Sequence, residues 1–489
     1  MDRAIAAVLV ACSLLAPAGV SAQELPPDVV LIVTDDQRFD TIWAMPTVRS
    51  ELVEHGARLS NAFVVNALCF PSRTSILTGD YSHTTGVWRQ SPPFGRFEWF
   101  DDSSTLATWL DGSGYATGLF GKYLDGYQHA GLTGYVPPGW DRWVAFIHSA
   151  YYDYKLSVDG RVEEHGSDPS DYSTAVLAAR AADFIRSTGG PLFLEFTPAA
   201  PHGPATPAPG DEGAFADLPP WRPPAYDEAD VSDKPEWVRA LPPVTPASAS
   251  AIDDFRRNQY RSLLAVDRAV GEIVAALRDS GRLDNTLIVF TSDNGIAWGE
   301  HRWAKKEAAF EEVIRVPMIV RWDAGGLVSG SRAEGLALNI DIAPTIAEAA
   351  GIEAPPTDGR SLLPLLRCPQ PAPWREDFLI EHLAGTNPIP TFCAVRSVGS
   401  LYVRYSDVEE EFYDLSADPS ELDSLAADPG ARDVVLAERE RLETLCDPPP
   451  PGFLDEGLDP RIWWAAGVLF VLFGLAAIWT RRSVTNPGG

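Results

Sequence analysis

Residues 66–79, NALCFPSRTSILTG, put Cys69 two positions before a proline, with Ser72 next and Arg73 four residues downstream. A cysteine in such a polar turn could be a thiol nucleophile, half of a disulfide, or a small buried residue. Two other clusters offer different chemistry. VLIVTDDQ carries the adjacent pair Asp35 and Asp36, and TSDNG supplies Asp293 and Asn294. Neighbouring carboxylates repel unless a cation or an arginine lies between them. Taken singly, the first reads equally well as a solvated acidic turn and the second as a tight Asn-Gly turn. Taken together they make three carboxylates and an amide oxygen, a hard all-oxygen set suited to Ca2+ or Mg2+. A thiolate is a soft ligand and matches that set poorly.

The elements that must position these residues are readable. DVVLIVT, PLFLEFT and TLIVFTS are apolar, β-branched runs typical of buried central strands. TLATWLDGSGYATGLFGKY reads as a helix, a glycine turn, a strand and a loop, and QYRSLLAVDRAVGEIVAALRDSG as an amphipathic helix ending in glycine. Strands alternating with helices imply an α/β fold with a large, mostly parallel sheet flanked by helices. In such sheets ligands bind beyond the carboxyl ends of the strands. Asp35, Asp36, His202 and Asp293 all fall at such ends although they are far apart in sequence. The Pro-rich, acidic stretch 203–246 is too long for a simple connection and reads as a loop wrapping a site. From about Pro371 the texture changes to short antiparallel strands followed by a helix. The expected organisation is a catalytic domain over 23–370, an α+β subdomain over 371–446 and a Pro-rich linker over 447–461.

CFPSR is a C-x-P-S-R motif, and the chain resembles the sulfatases, in which that cysteine is oxidised to formylglycine. The resemblance runs from about Asp28 to Leu425. VLIVTDDQ, CFPSRTSILTG, GKYLDGY, VPPGW, PHGP, TSDNG, KKEAAFEEVIRVP and FYDLSADPSEL occur in the order that sulfatases show. GKYLDGY, PPGWDRW and EADVSDKPEWVR look most like the branch of N-acetylglucosamine-6-sulfatases and extracellular heparan endosulfatases. The resemblance implies an alkaline phosphatase-like fold, with the smaller antiparallel sheet and helix as its C-terminal subdomain. It implies Asp35, Asp36, Asp293 and Asn294 as ligands of Ca2+, with Mg2+ as the alternative, and Cys69 as the formylglycine precursor, made by a formylglycine-generating maturation enzyme. Arg73 matches the arginine that supports it, Lys122 and Lys306 match lysines that grip the sulfate, and His202 matches the histidine near the leaving oxygen. His301 in GEHRW resembles a pocket histidine of some branches, and Asp125 is read as a substrate contact.

The implied reaction makes physical sense. A sulfate ester is a stable anion, so attack on it needs concentrated positive charge from a cation, Arg73 and the two lysines. A hydrated aldehyde offers one hydroxyl as nucleophile, with Asp293 as base, and His202 or Lys306 gives a proton to the leaving oxygen. Its second hydroxyl lets sulfate depart as the aldehyde reforms, a step closed to serine. In one respect the chain departs from many arylsulfatases, which have a histidine where this chain has Leu124. The implied substrate is a sulfated carbohydrate of glycosaminoglycan type, a 6-O-sulfated hexosamine. Two competitors remain at this stage: a phosphonate monoester hydrolase or phosphoesterase on the same fold, and an inactive membrane-tethered binding protein.

Composition bounds the partners. The 489 residues carry 68 acidic against 39 basic side chains, a net charge of −29, which repels nucleic acid and favours a small or terminal saccharide over a long polyanion. Residues 1–22, ending VSA, read as a secretory signal. Residues 462–480, IWWAAGVLFVLFGLAAIWT, carry no charge, are edged by tryptophans and are followed by Arg481 and Arg482. They read as a transmembrane helix with 481–489 as a cytoplasmic tail, so the expected location is the cell membrane, single-pass, with the catalytic domain outside. With Cys12 in the signal and Cys69 committed to chemistry, three of the five cysteines remain. The Pro-rich settings of Cys368 and Cys446 favour a bridge between those two, leaving Cys393.

Overall fold

DVVLIVT is buried along its whole length because both of its faces meet apolar layers. Val29, Leu31 and Val33 point into one core and Val30 and Ile32 into the other, the two-residue period of a strand in the middle of a sheet. The computed structural model describes residues 26–368 and 373–453. The described residues up to Pro450 form one compact unit.

The strands are β1 (Asp28–Thr34), β2 (Ala57–Phe63), β3 (Ala116–Gly121), β4 (Arg142–Phe146), β5 (Lys155–Val158), β6 (Arg161–Glu164) and β7 (Leu192–Thr197). They continue with β8 (Thr286–Ser292), β9 (Met318–Arg321), β10 (Ser331–Leu338), β11 (Asp377–His382), β12 (Phe392–Ser397), β13 (Ser400–Tyr405) and β14 (Glu410–Asp414). Ten of them form a mixed sheet in the order β10-β2-β9-β8-β1-β7-β3-β4-β5-β6. The central run from β8 to β4 is parallel, whereas β9 and the β4-β5-β6 edge are antiparallel. Helices Ser173–Ser187 and Pro246–Asp279 cover one face through Leu177, Ala181, Val266 and Ile273. The second starts at Thr245, whose hydroxyl accepts from the Ser248 N–H, and ends just before Gly281 at φ +70°. The other face carries helices Cys69–Thr78 and Ile342–Ala350.

The expected alkaline phosphatase-like architecture is present in both its parts. The antiparallel sheet β11-β12-β13-β14 follows the large sheet in sequence, and helix Arg432–Leu445 packs on it, with Arg441 paired to Asp377 of β11. Both belong to the same compact unit as the large sheet.

Two expectations are corrected. Cys446 is bonded to Cys393, not to Cys368. The helix that precedes Cys446 lies against β12, which carries Cys393, so the fold delivers these two sulfurs to each other. The bridge spans 53 residues, and its removal in Cys393→Ala is expected to cost roughly 2–4 kcal/mol, read as a lower denaturant midpoint with a steeper slope, because the unfolded chain loses its cross-link and expands. The single-pass membrane location is not retained: no helix among the described residues is long and apolar enough to cross a membrane. Residues 462–480, like the signal at 1–22, lie outside the described residues.

Candidate active site

The register of the sheet builds the site. Thr34 of β1 pairs with Ser292 of β8, so the residues that follow, Asp35-Asp36 and Asp293-Asn294, emerge side by side. The Asp36 N–H donates to Asp293 Oδ1 (3.0 Å), which ties the two turns together. Asp36 sits at φ +64°, a left-handed conformation that costs a non-glycine residue about 1 kcal/mol or more and recurs at functional sites. On the far side of β1, β7 runs into the Pro-rich turn that carries His202, and β3 delivers Lys122. Lys122 can leave β3 close to β7 because Gly121, at φ +133°, has no Cβ; one would lie 2.0 Å from the Thr197 carbonyl oxygen. The Lys122 N–H donates to that same oxygen (2.7 Å).

Cys69 opens helix Cys69–Thr78 and is fully buried at the centre of this group. Its Sγ is 3.4 Å from Asp35 Oδ1, 3.9 Å from Asp36 Oδ1 and 2.6 Å from Lys306 Nζ. Arg73, one turn along the same helix, donates from Nε to Asp293 Oδ2 (2.8 Å) and from Nη1 to the Lys122 carbonyl (3.2 Å). Its Nη2 is sealed from solvent without a hydrogen-bond partner, 3.9 Å from Asp35 Oδ2. Lys122 Nζ pairs with Asp35 Oδ2 at 2.7 Å and Lys306 Nζ with Asp36 Oδ1 at 2.8 Å. Lys306 itself sits on the loop before the short helix Glu311–Ile314, its carbonyl held by the Trp303 indole N–H (3.0 Å).

Electrostatics separate the three carboxylates. Burial opposes ionisation of Asp35, but Lys122, with His202 and Arg73, outweighs it and holds the carboxyl well below the usual range. Asp36 is held low in the same way, mainly by Lys306 and His202 against its burial. Asp293 goes the other way: burial and then the Asp35 charge raise it, more than Arg73 lowers it. Burial, reinforced by Asp293, pushes the Cys69 thiol well above its ordinary value.

The residues fit a hard divalent cation. Asp35, Asp36 and Asp293 converge at 0–3% exposure, close enough to share one ion. Asn294 Nδ2 donates to Asp36 Oδ1 (2.7 Å) while its Oδ1 is buried with no hydrogen-bond partner. An orphaned amide oxygen beside three buried carboxylates is an acceptor set that a cation satisfies.

A cavity of about 490 Å3 opens onto these groups, lined by Asp35, Lys122, Asp125 and His202 among others. His202 is partly exposed, with Nε2 3.7 Å from Asp36 Oδ2 and Nδ1 2.8 Å from the Gly203 carbonyl oxygen. Asp125 accepts from Gln90 Nε2 (3.1 Å) on the cavity wall, and Leu124 is buried beside it. The sheet thus brings together ten of the eleven expected site residues. The exception is His301, whose contacts lie elsewhere: it is fully buried, stacked on Phe310 at 4.0 Å and bonded through Nδ1 to Glu228 Oε2 (2.8 Å). Its contacts are with Phe310 and Glu228, and not with the groups around Cys69 that the expected substrate contact would join. Sequence reasoning also missed His148, Tyr151 and Gln90 of the wall. Tyr151 donates to the His202 carbonyl (2.7 Å) and fixes the histidine turn. The only signal was the aromatic run AYYDY, which looks like ordinary core.

Comparison with known proteins agrees with this geometry. The sulfatase family model matches residues 27–352, and the model for the C-terminal part of N-sulphoglucosamine sulphohydrolase matches 299–447. N-acetylglucosamine-6-sulfatase of Homo sapiens is 32% identical over 91% of this chain and 90% of its own length. The extracellular sulfatase SULF-1 homolog of Drosophila melanogaster is 34% identical over 74% of this chain, which spans only 33% of that longer protein. A solved structure, described as a complex with its substrate D-glucosamine-2-N,6-O-disulfate, shares the fold with a TM-score of 0.75 at 23% identity, covering 89% of this chain and 100% of that one. With two thirds of its length matched to the family and the family's motifs converging around Cys69, this chain belongs to the sulfatases, enzymes that release sulfate from sulfate esters.

Proposed function

We propose that the enzyme removes the 6-O-sulfate of a glucosamine-type sugar, using a formylglycine made from Cys69 by a maturation enzyme, beside a bound Ca2+, with Mg2+ as the alternative ion. The observation that carries this reading is the position of Cys69: buried among three carboxylates, an arginine and two lysines, of which Asp35 and Lys122 line the cavity. The substrate class is supported by the N-acetylglucosamine-6-sulfatase relative and by the sugar named for the structural neighbour. A cavity of about 490 Å3 suits one or two sugar rings, which favours a terminal residue over an internal one.

Asp35, Asp36, Asp293 and Asn294 would hold the cation. Bound there, the cation and formylglycine supply a charge that draws in the sulfate and a hydroxyl that attacks its sulfur. The remaining work falls to the side chains. Arg73, Lys122 and Lys306 present positive charge in a site that is largely dry, where it acts most strongly on an anion. Asp293, hydrogen-bonded to Arg73, would be the base for that hydroxyl's proton. His202 stands at the solvent side of Asp36 and gives a proton to the departing sugar oxygen, the role shared in principle by Lys306. Leu124 can move no proton, so the later loss of sulfate relies on these same groups. Asp125 and Gln90 offer hydrogen bonds to sugar hydroxyls.

A panel of esters tests the function: 6-O-sulfated glucosamine and N-acetylglucosamine, other sulfated sugars, an aryl sulfate, a phosphate monoester and a phosphonate monoester. The 6-O-sulfated amino sugars should show the highest kcat/KM. Faster turnover of the phosphonate than of every sulfate would establish the competing hydrolase instead. The cation is tested separately. At a hundredfold excess over its Kd, Ca2+ should stabilise the chain by about 2.7 kcal/mol, seen as a rise in Tm that Asp36→Asn abolishes.

A further inference from the structure

His301 belongs to a second cluster. One ligand atom from each of His301, Glu312 and Glu421 lies within 4.8 Å of the others. Each residue also holds a polar atom sealed from solvent without a hydrogen-bond partner: Nε2 of His301, Oε2 of Glu312 and Oε1 of Glu421. His301 and Glu421 are 0% and 1% exposed, so solvent does not satisfy these atoms. Of the neighbouring cations, Arg38 bridges Asp40 and Glu300, and Arg396 pairs through Nε with Glu311 while its Nη1 is buried without a partner.

The tautomer of His301 follows from its surroundings. Nδ1 is 2.8 Å from Glu228 Oε2, and the other oxygen of Glu228 is paired with the buried ammonium of Lys234 at 3.2 Å. A carboxylate so paired accepts and does not donate, so Nδ1 carries the hydrogen and Nε2 presents a lone pair. A carboxylate that orients a histidine through its far nitrogen is the arrangement found behind metal-ligating imidazoles. The Glu421 carboxylate is held too, by the Glu311 N–H on Oε2 (3.2 Å), which leaves Oε1 for another partner.

We propose that His301, Glu312 and Glu421 form a second metal site, distinct from the carboxylate cluster around Cys69, that takes a divalent first-row transition metal of the Zn2+ type. One nitrogen and two carboxylates match that class and not Ca2+, which takes oxygen ligands. The site is structural. His301 and Glu312 bracket the loop that carries Lys306, and Glu421 follows β14 of the small sheet, so one ion ties the sulfate-facing lysine to the C-terminal part of the unit.

The test uses the full chain, dialysed free of metal, with Ca2+ in excess to fill the hard-oxygen cluster, and titrated with Co2+ as probe. The expected result is one tightly held equivalent with the strong visible absorption of a low-coordinate site, displaced by Zn2+. Its affinity should fall about 10–100-fold or more in His301→Gln and in Glu421→Gln, and stay unchanged in His202→Ala, which removes the imidazole near Cys69. No bound equivalent, or a site lost in His202→Ala but kept in a folded His301→Gln chain, overturns the proposal. If neither cluster variant folds, hyperfine coupling in the Co2+-loaded His202→Ala chain decides: one imidazole nitrogen supports the site, and none overturns it.

Discussion

Replacing Cys69 by serine is expected to reduce steady-state sulfate release by about 10^3-fold or more, since loss of the nucleophile in comparable hydrolases costs up to ~10^6. The fold should survive. Serine differs from cysteine by one atom, and the neighbours of that atom, Lys306 Nζ and the Asp35 and Asp36 carboxylates, are polar groups that a hydroxyl can meet. Thermal stability should therefore change by no more than about 1 kcal/mol. A hydroxyl can in principle attack the sulfate once, but serine has no second hydroxyl whose proton loss would expel it. The distinguishing result is a serine variant that binds substrate, keeps its Tm and at most becomes sulfated without turning over. Full activity in Cys69→Ser would end the formylglycine account.

Arg73→Lys carries the second large effect, although it conserves charge. The guanidinium makes three directed approaches at once: to Asp293 Oδ2, to the Lys122 carbonyl and, through an otherwise unpartnered Nη2, towards Asp35. An ammonium is a point charge on a flexible stem and cannot reproduce that fork. Two losses should follow. The positive charge facing the sulfate moves away from where negative charge develops, which is worth about 10^2–10^3-fold in kcat. Asp293, buried at 0% exposure, loses its hydrogen-bonded partner, and breaking one side of a buried pair costs about 3–5 kcal/mol. The kinetic loss should appear in kcat more than in KM, measured above the lowered Tm. A variant with ordinary kcat and only raised KM would mean that Arg73 binds substrate without acting in the chemical step.

Much of this was legible in the sequence for a simple reason. DVVLIVT, LFLEFT and TLIVFTS are buried strands and so are mostly apolar, and the residues after each run had to emerge at one edge of the sheet. Parallel pairing did the rest, setting Asp35 beside Asp293 without any help from sequence distance. What stayed hidden depended on partners that a linear pattern does not reveal. His301 looks like a pocket residue until Glu228 and Phe310 are seen to hold it inside. Cys393 reads as one more apolar position of a strand, and only the packing of the last helix brings Cys446 to it. The wall residues Ile147–Tyr152 belong to the connection between β4 and β5, at an antiparallel edge that the parallel pattern gives no reason to expect.

The central claim is that Cys69 does not act as a cysteine. Its most direct test is mass spectrometry of the peptide containing residues 66–79, taken from a preparation whose sulfatase activity has been measured. The account predicts a peptide lighter than the encoded one by the change from thiol to aldehyde, with a modified fraction that rises in step with specific activity and is trapped by a carbonyl reagent that also stops turnover. A fully active preparation in which every copy of this peptide carries an intact thiol would contradict it.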